Sequence, residues 1–346
     1  MSSLLEHHVR RSGSCRPPGS RVRRPRVASV VVVAAMVMGS VFGIGALGIG
    51  TAQARPHTPL PVTYDFLAGI SAELAHPGGS LPGTNDYSCR PSATHPRPVI
   101  LVHGSGGGQQ TNWATLAPVL VNAGYCVFAP TYGALGTVWP VSALGGLGPK
   151  PDSAWQVKEF IDHVRAATGS DQVDIVGHSL GTEIPTYWLK YLGGRGHVAH
   201  YVSLAPYWRQ GPDDDDVRGE TIAAFRARLG IAPPAHPACP ECTPAPADLN
   251  FNQAVRLPTP YLPGVRYTNI VTRDDEIVTP YSAGILPGPP GTDVTNIVVQ
   301  DGCPIDHADH LSIVANRRSA ALVLNALDPA HPGPVPCVPV SPVTGG

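Results

Sequence analysis

The run VDIVGHSLGT, residues 173–182, decides how this chain is read. It holds the pattern Gly177-x-Ser179-x-Gly181, and with 38 glycines among 346 residues the five positions alone decide little. Their surroundings add more. VDIVG reads as a short apolar strand and LGTEIPTYWLKYLGG as a helix bent at Pro185, so Ser179 falls on a strand-to-helix turn. A turn this tight strains the serine backbone and projects its Oγ, and small residues two before and two after keep it free of clashes. The bland alternative is a structural serine in a glycine-rich turn.

Outward from Ser179 the same rhythm repeats. PVILVHG (98–104), YCVFAPTY (125–132), HVAHYVSLAP (197–206), VRYTNIVT (265–272) and VTNIVVQ (294–300) read as strands. NWATLAPVLVNAG (112–124), SAWQVKEFIDHVRAATG (153–169) and a stretch around 313–327 read as helices. Apolar strands alternating with helices predict a mostly parallel α/β sheet covered on both faces. Residues 207–262 break the pattern with DDDD, one amphipathic stretch and the Pro/Cys-rich APPAHPACPECTPAPAD. An insertion there reads as a cap over the C-terminal edge of the sheet, where ligands of such folds bind.

The first 54 residues carry seven arginines and one glutamate, then the apolar run 27–50 and small residues at Ala52 and Ala54. That order predicts a secretion signal cleaved after Ala54, an uncleaved membrane anchor being the competing reading. Residues 55–346 then carry 17 basic and 24 acidic side chains, a net charge of −7, which argues against nucleic acid as a partner. Their 292 residues suit one large α/β domain with its cap.

Six cysteines remain beyond the leader: Cys89, Cys126, Cys239, Cys242, Cys303 and Cys337. An even count in an exported chain reads as three disulfides. Cys89 precedes the PVILVHG strand and Cys126 lies in the adjoining one, so these two are expected to pair. Cys303 is expected to hold the C-terminal tail at Cys337, leaving Cys239 and Cys242 to each other. A zinc site at CPEC would need two further ligands, and only His236 is near. Asp213 to Asp216 could bind calcium but read as a solvated loop.

A serine hydroxyl becomes nucleophilic only when a base takes its proton, so a carboxylate and a histidine should follow in the order Ser, Asp/Glu, His. The loop after VRYTNIVT carries Asp274, Asp275 and Glu276, and the loop after VTNIVVQ carries His307 and His310. An oxyanion would need main-chain N–H donors: Leu180, directly after the nucleophile, and Ser105 in HGSGGG at 103–108. His103 and His178 flank these positions and are expected to pack and hydrogen-bond within their turns.

With these pieces in place, the chain resembles the secreted actinobacterial lipases of the class 2 lipase family. The likeness runs through NDYSCRPSATHPRPVILVHG, NAGYCVFAPTYG, VDIVGHSLG, YWLKYLGG, PGVRYTNIVTRDDEIVTPY, VTNIVVQDGCPIDHADH and VLNALDP, from 85 to 329 in a single order. It implies an α/β-hydrolase fold and hydrolysis of fatty-acid esters without metal or organic cofactor, with transient contact with lipid interfaces. By position it implies Ser179 as nucleophile, Asp275 as acid and His310 as base. The D-H-A step of DHADH instead matches fungal B-type lipases and would favour His307. Two positions depart from the family: Leu180 stands where Gln is usual, and YWRQG follows LAP where SNHGT is common. Both border the cleft and bear on acyl preference. An acyltransferase with the same triad, or a non-catalytic surface protein on this scaffold, are the other readings.

Overall fold

The structure is a computed structural model and describes residues 58–209, 228–230, 232 and 234–346. The proposed leader, 1–54, and the acidic run 213–216 lie outside the described residues.

Six strands form one parallel sheet: β1 (Val99–Val102), β2 (Val127–Phe128), β3 (Val173–His178), β4 (Val198–Leu204), β5 (Arg266–Val271) and β6 (Asp293–Val298), in the order β2-β1-β3-β4-β5-β6. Strand parity distributes the core, because alternate side chains leave opposite faces. Ile100, Val102, Ile175 and Tyr201 pack with α3 (Lys150–Thr168), α4 (Leu180–Tyr191) and α5 (Phe251–Arg256). Val99, Leu101, Val176 and Val202 pack with α2 (Leu116–Asn122) and α6 (Arg317–Leu327). The doubly covered parallel sheet read from the sequence is therefore present.

Several boundaries differ. The 125–132 strand shrinks to Val127–Phe128, because the Asn85 amide takes the place of a neighbouring strand: its Oδ1 accepts from Ala129 N–H at 2.8 Å and its Nδ2–H donates to Ala129 O at 3.0 Å. The last helix divides at Asn316, whose Oδ1 accepts from Arg318 N–H at 2.7 Å and starts α6 after a 3-10 turn at Ser312–Ala315. One helix, α1 (Ala68–Ala75), was not expected.

Three disulfides join Cys89 to Cys126, Cys239 to Cys242 and Cys303 to Cys337, as the sequence led one to expect. The CPEC thiols are thus bonded to each other. Within 207–262, the described residues include α5, started by an Asn250–Gln253 capping box and laid on α4, where Phe251 stacks on Tyr187 with centroids 4.7 Å apart. Arg256 pairs there with buried Glu183. Among the described residues no helix is long and apolar enough to cross a membrane.

Candidate active site

Strand order reverses at β1: the chain moves from β1 to β2 on one side and then to β3 on the other. The loops after β1 and β3 therefore diverge from adjacent strand ends, Val102 beside Gly177, and leave a crevice at that edge. Ser179 sits on the β3 loop with φ 52° and ψ −124°, a conformation a serine seldom adopts. Crowding explains the flanking glycines. A Cβ at Gly177 would overlap the Gly181 carbonyl, and one at Gly181 would overlap the Val102 carbonyl.

The β1 loop is held from below by buried His103. Its ring stacks on Tyr132 at 4.2 Å, its Nδ1–H donates to Gly104 O at 2.8 Å, and its Nε2 accepts from Tyr132 N–H at 3.2 Å. Burial lowers its pKa to about 4, so the ring is neutral and its one hydrogen fits this pattern. Gly106 and Gly145 exchange further main-chain bonds with the loop. Ser105 N–H and Leu180 N–H have no acceptor among the described residues, which leaves both donors free for a ligand oxygen.

His310 and Asp275 arrive from the loops after β6 and β5. His310 Nδ1 lies 3.0 and 3.1 Å from the two Asp275 oxygens, and both side chains are buried. Asp275 Oδ1 also accepts Ile277 N–H at 3.0 Å and Val278 N–H at 2.7 Å, which fixes the carboxylate. The His310 main-chain N–H donates to Glu276 at 3.1 Å. His307 turns outward, its side chain 63% exposed, and meets Asp274 at 3.1 Å. The structure thus brings His310, Asp275 and Ser179 toward one crevice and separates His307 from it. Among the described residues Ser179 Oγ makes no hydrogen bond.

Ser179 and His310 line one cavity of about 420 Å3 with Ser105, Asn112 and His178. Its described apolar walls come from Phe66, Ile70 and Leu74 on and before α1, and from Trp139, Ala143 and Leu144. No described residue of 207–262 lines it. Sequence reasoning missed this rim, although residues 98–149 contain no Asp, Glu, Lys or Arg, a signal open to view. Of the lining residues Leu74 is 63% exposed and Leu144 about half, and in the chain leading to Leu144, Val138 is 74% exposed and Leu135 and Val141 about half. At the two family departures, the Leu180 side chain reaches the Gly146 turn beside Ser105, while Tyr207 lies under the Arg256 guanidinium, 4.5 Å from its ring centroid.

Residues 96–203 match the family described as Lipase (class 2). A pyrrolizixenacetamide deacetylase of Xenorhabdus hominickii is 34% identical over 89 residues, which are 25% of this chain and 29% of that protein. Among solved structures, Aspergillus fumigatus lipase B superposes with a TM-score of 0.52 at 20% identity, covering 74% of this chain and 57% of that one. This chain therefore spans less than two thirds of either relative's length. The parallel sheet, the strained serine turn after β3 and the superposition agree on one architecture: the chain has the α/β-hydrolase fold.

Proposed function

We propose that this protein is an exported serine ester hydrolase of the class 2 lipase family, acting on neutral fatty-acid esters through an acyl-enzyme. Ser179 attacks the ester carbonyl, His310 takes its proton and returns it to the departing alcohol, and Asp275 holds the tautomer and offsets the imidazolium charge. The N–H groups of Ser105 and Leu180 receive the oxyanion, and water repeats the cycle on the acyl-enzyme. The observation that carries this reading is Ser179 in a positive-φ turn, sharing an apolar cavity with His310, whose Nδ1 is bonded to Asp275. The matched family and the lipase-like fold support it.

Export through a signal cleaved after Ala54 fits three disulfides, which persist in oxidising compartments. Substrate reaches the site from a lipid surface, against which the charge-free stretch 135–144 and the apolar side chains of α1 rest, and the insertion at 207–262 serves as the cap. The test is a chain-length series of p-nitrophenyl esters with emulsified triacylglycerol, run beside Ser179→Ala. Turnover should fall on the order of 10⁴-fold or more with the fold intact. Retention of a tenth of the activity would sink the mechanism, and acyl transfer to an added alcohol in preference to water would reassign the reaction.

A further inference from the structure

His178 directly precedes the nucleophile and is fully buried, and its two nitrogens face the cleft's other parts. Nε2 lies 2.9 Å from the main-chain oxygen of His310, and Nδ1 lies 3.0 Å from the side-chain oxygen Oδ1 of Asn112. A neutral imidazole has one N–H and one lone pair. A carbonyl oxygen only accepts, so Nε2 carries the hydrogen. Nδ1 must then receive one, and the group opposite is an amide whose two ends differ little in shape, so its orientation follows from the network. Asn112 Nδ2 is otherwise buried without a partner. Turning the amide end for end places Nδ2–H on His178 Nδ1 and gives that nitrogen its hydrogen; Oδ1 then takes the unpartnered position and the 3.3 Å bond from Gly104 N–H is lost, so the exchange is made for the His178 contact alone. Burial, and then the neighbouring His310, lower the His178 pKa to about 3, so its ring stays uncharged beside a base that must itself gain a proton.

We propose that His178 is a positioning residue: its Nε2–H holds the main chain of His310, and Asn112 holds His178 in the tautomer that can do so. The inference rests on His310 being the base. Asp275 orients the His310 ring through Nδ1, but a ring fixed at one nitrogen still moves with its own backbone. The bond from His178 removes that freedom and ties three segments together: the base loop after β6, the nucleophile turn after β3, and Asn112 ahead of α2. A displacement near 1 Å in such a site costs on the order of 10²-fold in rate.

Two substitutions separate the donor from the bulk. His178→Leu keeps an apolar volume and removes the donor, while His178→Gln keeps an amide N–H near the Nε2 position. On a soluble p-nitrophenyl ester we expect His178→Leu to lower kcat about 10- to 100-fold with KM within about twofold, and His178→Gln to restore most of the loss. Wild-type kcat in His178→Leu, or equal losses in both variants, would overturn the proposal. Full activity in Ser179→Ala would instead remove the functional reading beneath it, so the two failures are distinguishable. The tautomer is read on unaltered protein by NMR of ¹⁵N-labelled histidine, the resonance being assigned through its backbone amide. The expected result is an Nε2–H tautomer that does not titrate between pH 8 and 5. An Nδ1–H tautomer, or titration near the ordinary histidine value, would refute the assignment even if neither variant folds.

Discussion

At the scale of single residues, DHADH carries the sharpest ambiguity, two histidines three positions apart. Periodicity could not separate them, because a helical turn would put both on one face. Burial and partner do: His310 is enclosed with Asp275, whereas His307 faces solvent and Asp274. We therefore expect His310→Ala to remove esterase activity to the degree Ser179→Ala does and His307→Ala to stay within about twofold, read as kcat/KM on a short soluble ester. The reverse pattern would exchange the two roles and leave Ser179 and Asp275 in place. The placement of Ser105, Ser179, Leu180 and Asp275 was legible because each lies within a few residues of a strand end, where chain order restricts the choices. The contact between Asn112 and His178 was not, since it spans 66 positions and no spacing rule reaches across them.

At the scale of elements, fully buried strands such as β1 and β3 were readable to within a residue or two, and the edge strand β2 was not. Its length is set by a side chain, Asn85, standing in for a neighbour, which no local pattern encodes. The cavity rim was missed for a related reason. Residues 135–144 have neither a helical nor a strand period, and α1 is apolar on more than one side. Exposed apolar side chains gathered around a cavity mouth mark an interaction surface. Val138 and Leu135 are exposed in the segment that supplies Trp139 and Leu144 to the cavity, and they do not line it themselves. Replacing both with Ser should weaken binding to emulsified triacylglycerol several-fold and leave kcat/KM on a soluble short ester within about twofold. Equal losses on both substrates would show that the rim shapes the cavity rather than meeting a surface.

At the scale of the whole molecule, two buried neutral histidines connect the site to stability. His103 and His178 have folded-state pKa values lowered to about 4 and about 3, against about 6.5 in an unfolded chain. Below pH 6.5 the unfolded chain takes up protons that these rings refuse in the fold. Their contribution is complete above pH 6.5 and is lost as pH falls toward 4 and 3, by up to about 1.4 kcal/mol per pH unit for each ring. Urea unfolding at pH 7, 6 and 5 should give a declining free energy, and a flat one would contradict the burial of these rings. The charge-free stretch 135–144 has a further consequence, in ionic strength. A surface without charge exerts no long-range pull, so adsorption to a zwitterionic or neutral lipid layer should be insensitive to salt. Residues 55–346 nevertheless carry net −7, and an anionic layer should repel them over a Debye length of ~30 Å at 0.01 M. Adding salt to 0.15 M shortens that reach to about 8 Å. Uptake onto anionic vesicles should therefore rise with salt, opposite to the behaviour of a protein drawn to membranes by basic residues.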